Sequence, residues 1–326
     1  MRIINLVLFL AVCLNADAQK KQELIYFFMT KDSLVGVKNE AGHVLIQPRI
    51  LSWYWYHTEE LNKPVKDNLI YMDAGVNDSI EPNSCGAVYN RKGVFLFSPF
   101  LFDNGPDTYS EGLIRFVKNG KIGFANRNGD IVIEAKYDYA DMFNYGLTTY
   151  CNGCTWKSRG EHRFVSGGRW GYINNKGDTI SVMHNRKHEK DQQIDTAKFL
   201  PYQFSYSRTE QKILDSFYSL PLISKSYFAN FYSPLDSNEL KLRFEIVERP
   251  SAYYPYYHIA AFEYMNNRGF RGDGILGLNF FVDRTGRHFF VFDYHNKKVP
   301  LGQWLKKEVQ DAKLFLQSHP DALHKF

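Results

Sequence analysis

One short phrase recurs along this chain and limits what it can fold into. It consists of strand-forming residues, then Asn or Asp, two mostly polar residues, and Gly. It stands at Asn39–Gly42, Asn90–Gly93, Asn126–Gly129 and Asn174–Gly177, with a looser copy at Asp283–Gly286. An Asn or Asp that opens a type I turn can accept a hydrogen bond from the backbone two residues on. A Gly three places later takes the left-handed conformation that closes a hairpin with a bulge. The flanks, such as Val44-Leu45-Ile46 and Ile131-Val132-Ile133, are apolar. Each copy therefore predicts a β-hairpin. A chain built from a repeated supersecondary unit presents a surface more often than a single catalytic pocket, which points toward binding.

The best-preserved unit reads as a three-stranded meander. Its strands are Gly112–Val117, Lys121–Ala125 and Asp130–Ala135, and Asn119-Gly120 is the strongest kind of two-residue hairpin turn. Gly146-Leu147 begins the next unit as Gly112-Leu113 begins this one, and Asn152-Gly153 is its expected turn. From Gly120 to Gly123 is three residues, whereas from Gly153 to Gly171 is eighteen, so this unit carries a fifteen-residue insertion. The insertion holds Cys154, Trp156, His162 and Gly167-Gly168. Thr155–Gly168 is expected as a loop. Insertions in repeat arrays collect on one face, often the binding face, although a neutral decoration fits the same pattern.

The run from Gly112-Leu113 through Lys121-Ile122-Gly123-Phe124, Asn126, Gly129 and Tyr137-Asp138 resembles the bacterial WG, or KWG, repeat. Arg169-Trp170-Gly171-Tyr172-Ile173 is the closest copy of the namesake, and Phe143-x-x-Gly146-Leu147 also fits. The resemblance covers roughly residues 34–182, with two good units and two degraded ones. In the degraded units Val35-Gly36 and Gly86-Ala87 replace Trp-Gly, and Ala87 occupies the Gly position. The copies start unevenly, at 36, 87, 123 and 171. The resemblance implies a β-rich interaction module and carries no catalytic residues with it.

Composition fits a folded, exported protein. The chain has 326 residues, 44% of them apolar, enough for two ordinary cores. The formal charge of +5 is spread out, with no run of five Lys or Arg, so nothing suggests a nucleic-acid partner. Arg2, the apolar run Ile3–Leu14 and Ala16-Asp17-Ala18 read as a signal peptide, residues 1–18, cleaved before Gln19. That run is too short to span a bilayer, and no later stretch reaches about 18 apolar residues, so no transmembrane segment is expected. Leu10-Ala11-Val12-Cys13 bears a weak likeness to a lipoprotein box, with Val12 a poor residue at its place. The expected destination is the periplasm, the outer surface or the medium.

Cleavage would leave Cys85, Cys151 and Cys154. In an oxidising compartment a Cys-x-x-Cys pair has three readings: a structural disulfide, a redox pair, or part of a zinc site. Cys151 and Cys154 flank the expected Asn152-Gly153 turn, which would bring their Cα atoms into disulfide range. A redox pair needs a helix N-terminus, and zinc needs about two further ligands, for which Cys85 and His162 have no matching spacing. No metal or cofactor is expected.

Beyond the β-repeat domain, residues 19–182, the polar segment 183–201 reads as a linker, and its His184 and His188 as solvated residues. Residues 202–326 read as an α+β domain with an antiparallel sheet. Ser207-x-x-Glu210 is a capping box opening one helix, and Leu222–Tyr232 is a second helical run. Pro300–Gln317 closes the domain as a third helix. The predicted strands are Leu242–Ile246, His258–Met265, Leu278–Val282 and His288–Tyr294. The Asp283–Gly286 turn joins the last two and reads as a stray hairpin. Gly272-x-Gly274-x-x-Gly277 satisfies a dinucleotide pattern but follows a loop and opens a strand, which excludes that role.

The fold class is thus an all-β array of hairpins followed by an α+β domain, and the expected role is non-catalytic binding of a protein or a cell-envelope glycan. Aromatic residues supply the candidate contacts: Trp53 and Trp55, Trp156, Trp170, Tyr254 and Tyr256. Exposed rings of this kind stack on sugars or anchor interfaces, whereas buried ones only build the core. The alternative is a hydrolase whose active site lies in the second domain. It would draw on His258, Asp293 and His295, the last two on one strand face.

Overall fold

The structure is a computed structural model that describes residues 23–51, 61–72, 80–102, 105–160, 162–220, 242–264, 270–271 and 279–318. The signal-peptide reading, Trp53 and Trp55, the helical run Leu222–Tyr232 and the Gly272–Gly277 segment lie outside the described residues. The chain forms two compact units, the first ending at Lys66 and the second beginning at Asp67.

The first unit is a three-stranded antiparallel sheet of β1 (Ile25–Met29), β2 (Leu34–Asn39) and β3 (Val44–Leu51). In the second unit, β4 (Leu69–Met72), β5 (Ala87–Asn90) and β6 (Phe95–Pro99) come first. The two-residue strands β7 (Leu101–Phe102) and β8 (Gly105–Pro106) pair with each other. Then come β9 (Leu113–Lys118), β10 (Lys121–Asn126) and β11 (Ile131–Tyr137). The second and third repeats merge here into one six-stranded sheet, ordered β11-β10-β9-β6-β5-β4. The fourth repeat is a separate four-stranded sheet of β12 (Tyr139–Ala140), β13 (Leu147–Arg159), β14 (His162–Asn174) and β15 (Thr179–Ile180).

The recurring phrase has one geometry throughout. At Asn39, Asn90, Asn126, Asn174 and Asp283 the backbone carbonyl accepts the amide of the Gly three places on, at 2.9–3.0 Å. The side-chain Oδ1 accepts a second amide four residues on, from His43, Val94, Asp130, Asp178 and Arg287 respectively. The glycines have φ between 74° and 89°, the region a side chain rarely adopts. Asp293–Asn296 is a further copy that sequence inspection passes over, because Asn296 (φ 57°) stands where the others have Gly.

Two features lock the repeats together. A Cβ placed on Gly129 would lie 2.6 Å from Leu96, so the third repeat's turn sits directly on the second repeat. Within each hairpin, the glycine of the Trp-Gly position lies opposite a cross-strand aromatic: Gly36 faces Phe28, Gly123 faces Phe116, and Gly171 faces Tyr150. The ring covers the bare backbone of its partner. In the second repeat Ala87 replaces the glycine, and its partner is Met72, an unbranched chain that leaves room for the extra methyl.

Strand β9 is buried on both sides. Leu113, Val117, Ile122, Phe124 and Ile133 join Phe143 and Ile173 of the fourth repeat in one core. Ile114, Phe116 and Ala125 pack with Val88 and Phe97 in another. On the same face as Leu113 and Val117, Arg115 forms a fully buried ion pair with Asp107 at 2.8 Å, also donates to the Ala140 carbonyl and lies 4.6 Å from the Phe100 ring centre.

Segment 183–201 is folded, which corrects its reading as a linker. Its β16 (Gln192–Asp195) and β17 (Lys198–Leu200) form a hairpin. Asp191 is buried and accepts the amides of Lys187, His188 and Tyr202. Helix α1 (Arg208–Tyr218) follows, opened by the Ser207/Glu210 capping box. The C-terminal sheet is antiparallel: β18 (Leu242–Glu248), β19 (Tyr256–Tyr264), β20 (Phe270–Arg271), β21 (Asn279–Asp283), β22 (Phe289–Phe292) and β23 (Lys298–Pro300). Ile213, Leu214 and Phe217 of α1 and Leu301 of α2 (Leu301–Ser318) pack on Phe244, Ile259, Phe280 and Val282. An α+β region with an antiparallel sheet is thus present.

Candidate functional site: the lengthened hairpin of the fourth repeat

The third and fourth repeats share a register. Leu113 pairs with Asn126 and Phe116 with Gly123; correspondingly Leu147 pairs with Asn174 and Tyr150 with Gly171. In the third repeat the strands are 6 residues long and close at Asn119-Gly120, between Lys118 and Lys121. In the fourth the pairing runs on past Asn152 and Arg169 to Arg159 and His162, and both strands are 13 residues long. The Asn152-Gly153 turn and the Thr155–Gly168 loop are therefore both corrected. The insertion is paired strand that lengthens the hairpin into a ribbon. An Asn-Gly pair reads as a turn only when its neighbours must pair with each other, and here both strands had more chain to pair with.

The ribbon turns over partway along. On a regular strand, residues three apart face opposite ways, yet Cys151 and Cys154 are joined as a disulfide with Cα atoms 6.1 Å apart. Gly153, Gly167 and Gly168 have φ of 78°, 76° and 72°, and these left-handed positions bring both cysteines to one side. A Cβ on Gly168 would sit 2.6 Å from the Cys154 amide nitrogen, so the crossing admits no larger residue. Cys85 is buried elsewhere, away from this pair.

Past the crossing, Trp156 swings under the ribbon. It stacks on Phe100, meets Tyr139 edge-on and carries Arg163 at 4.9 Å over its ring. Trp170 also meets Tyr139 edge-on, and its indole N–H donates to the Gly167 carbonyl. Trp170 is nevertheless 50% exposed, while Ile122, at the same register in the third repeat, is 2% exposed. Phe164 near the tip is 44% exposed. Burial, followed by a hydrogen bond to Asp141, pushes the Tyr139 hydroxyl up to about 12, so it stays neutral.

Tyr254 and Tyr256 have other tasks. Arg127, from the Asn126–Gly129 turn, lies between the rings of Tyr109 and Tyr254 at 4.4 and 4.5 Å and pairs with Glu248 on β18 at 2.9 Å. Burial pushes Tyr109 up to about 12 and raises Glu248 against the pull of Arg127. Tyr256 packs edge-on against Phe290 and Phe292 and lies beneath Lys298. A second joint gathers around Glu245, which is wholly buried. Its carboxylate accepts from Tyr202 at 2.6 Å, from Tyr206, and from Lys190 at 3.1 Å, with Tyr145 at 3.5 Å. Burial, then the charge of Glu245, raises all three tyrosines.

Both joints grow from equivalent tight turns. Glu111-Gly112 and Tyr145-Gly146 have positive φ at both positions and close the two-residue bridges Ser110–Leu113 and Asn144–Leu147. A Cβ on Gly112 would meet Glu248, and one on Gly146 would meet Gln203. These turn faces of the repeats are thus spent on holding the C-terminal sheet. None of these contacts is legible from residue type. The only sequence signal is the shared Gly-Leu step, which marks the turns but not what covers them.

The residues of a hydrolase reading each have a structural partner. The Asp293 carboxylate accepts the His295 and Lys297 amides within a turn, and this takes up the proposed orienting group. His258 bonds Asn279 at 2.6 Å and stacks on Phe281. Burial, above all, holds its pKa down to about 4. His188 stacks on Tyr202. Among the described residues no group of three or more His, Cys, Asp and Glu is placed to hold a metal ion, and no helix is long and apolar enough to cross a membrane.

The fold therefore defines an antiparallel β-hairpin repeat protein with an α+β partner region. Residues 122–156 match the family model described as the WG containing repeat, in a single segment. The matched stretch begins at Ile122-Gly123, runs through the linking strands, and ends at Trp156 inside the ribbon. No curated protein and no solved structure matches the chain.

Proposed function

We propose that this protein is an exported, non-catalytic binding or scaffold protein whose lengthened fourth hairpin contacts a protein or a cell-envelope glycan. One observation carries the reading: the same register position is core in the third repeat and exposed aromatic surface, at Trp170, in the fourth. Large rings held rigid and half in water make anchors at low entropic cost. The WG match supports a β-repeat role, and the neighbouring repeat faces are already occupied by the molecule's own C-terminal sheet.

Glycan arrays and affinity capture from envelope fractions, run with the intact chain and with Trp170→Ala, test the site. Retention should fall at least about tenfold in the variant, which is the loss of one anchor worth roughly 1.4 kcal/mol. Equal retention by both proteins would discard the ribbon as the contact surface. Export is checked separately by sequencing the N-terminus of the protein recovered outside the cytoplasm. The expected first residue is Gln19, and intact Met1 confined to the cytoplasm would remove the exported reading.

A further inference from the structure

We infer that the outer face of the lengthened hairpin rests on the surface of an anionic phospholipid bilayer, with Phe164 among the headgroups and Lys157 and Arg159 on the lipid phosphates. This goes beyond the Trp170 reading and does not depend on it, because the two surfaces lie on opposite sides of the ribbon.

Register fixes which side chains share the outer face. Past the disulfide, Lys157 pairs with Phe164, while Trp156 pairs with Val165 and Ser158 with Arg163. Cross-strand partners project to one face, and neighbours along a strand project to opposite faces. Lys157, Arg159 and Phe164 therefore share one face, and Trp156 and Arg163 share the other. The Trp156 face turns inward: its ring stacks on Phe100, meets Tyr139 edge-on and lies beneath Arg163 at 4.9 Å. The opposite face is open. Lys157 and Arg159 are exposed, about 7 Å apart along β13, and Phe164, directly across from Lys157, is 44% exposed.

Charge selects an anionic partner. Cations at the joints are neutralised, Arg115 by Asp107, Arg127 by Glu248 and Lys190 by Glu245. Among the described residues no carboxylate pairs with Lys157 or Arg159. Over residues 154–167 the sequence holds Lys157, Arg159 and Arg163 against Glu161 alone.

Shape selects a plane. Strand β12 reaches no further along β13 than Cys151, and β15 meets β14 only at Tyr172 and Ile173. Beyond those points the arm is two-stranded, and no neighbouring strand raises a wall beside Phe164. Such a face does not enclose a peptide or a sugar chain, but it lies flat on a bilayer. An aromatic ring settles in the headgroup layer while Lys and Arg stems carry their charges to the phosphates. No described strand pairs with the outer backbone edges of the arm, and hydrocarbon would leave those groups unsatisfied, so the contact stops at the headgroups.

Flotation of the intact, disulfide-bonded chain tests this, with vesicles of phosphatidylglycerol and phosphatidylcholine in equal parts against pure phosphatidylcholine. The mixed vesicles should bind, and the neutral ones at least about tenfold less. Binding should also fall at 1 M salt, where the screening length shrinks to about 3 Å. Lys157→Gln/Arg159→Gln should weaken it at least about tenfold and Phe164→Ser about threefold or more, whereas Phe164→Leu should retain it. Lys306→Gln/Lys313→Gln removes the same charge from exposed helix positions and should change binding less than about twofold. Circular dichroism should show every variant folded, since the altered side chains are exposed. No vesicle binding, or equal binding to neutral vesicles, would overturn the proposal. An equal loss in the helix variant would show that net charge alone acts, and an unchanged Phe164→Ser would remove the ring; either overturns the face. Retention on immobilised polyglutamate as strong as on mixed vesicles would replace the bilayer with an acidic protein. None of these outcomes bears on Trp170, whose own assays stand or fall separately.

Discussion

The third and fourth repeats begin from the same two-residue turn, keep the same cross-strand register and end in the same Asn–Gly corner, yet they do opposite things with it. In the third, the hairpin stops after 6 residues per strand and β9 is buried on both faces. In the fourth, 13-residue strands carry the hairpin past its own core and place a tryptophan in solvent where the third repeat has a buried isoleucine. Register is a property of the corner and the glycine beneath its aromatic. Exposure is a property of what lies above the sheet. A repeat can therefore change task by lengthening one hairpin, without altering the residues that define the unit.

Paired substitutions at the shared register position give the largest contrast. Ile122→Ala should cost about 2–5 kcal/mol, as for other buried aliphatic truncations. Trp170→Ala should cost under about 1 kcal/mol, because half its surface is already wet and what it loses is one edge-on ring contact and one exposed hydrogen bond to the Gly167 carbonyl. Urea unfolding of the two variants decides. Equal losses would mean that the ribbon is as much a part of the core as β10.

Acid should act on the C-terminal side of the molecule through His258. Its folded pKa is about 4 against a reference of 6.5, so the native state resists protonation more than the unfolded chain does. Stability from this residue is complete above pH 6.5 and is lost as pH falls toward 4, by roughly 3 kcal/mol at most. The difference in unfolding free energy between the parent chain and His258→Gln, followed from pH 7.5 to 4, isolates it. A pH-independent difference would show that His258 titrates normally.

The glycines beneath the aromatics sharpen the comparison further. A Cβ on Gly123 would come within 2.6 Å of the Ile133 carbonyl oxygen and 2.7 Å of the Ala135 nitrogen, backbone that cannot yield. At Gly171 the nearest atoms all belong to the far end of the half-buried Tyr150 side chain, which can swing aside. Gly123→Ala should therefore lose about 1–3 kcal/mol and Gly171→Ala less than about 1. Thermal melts that ranked them the other way would show that the fourth repeat is the more tightly packed of the two.

Much of the local structure was legible. The five Asn/Asp–Gly corners, the capping box at Ser207, the closing helix and most C-terminal strands follow from turn chemistry and periodicity, which act over a few residues. The Asp293 corner was missed because Asn296 replaces the expected Gly. The candidate site was half legible. Trp156 and Trp170 stand out by type, but Tyr139 and Phe164 do not, and Tyr254 and Tyr256 prove to be packing residues. The Asn152-Gly153 turn was misjudged because a turn signal is conditional on the pairing of its flanks.

What the sequence by itself determined is where the chain bends, since a left-handed corner needs only a Gly or Asn and a side-chain acceptor close at hand. Only the tertiary structure decided which faces those bends would leave open. Arg127, Glu245 and Tyr145 meet partners 100 or more residues away, and their joints cover two repeats while the ribbon stays bare. Local hydrogen bonds are written within a few residues. Burial depends on which distant surfaces come together, and no short stretch of chain contains that information.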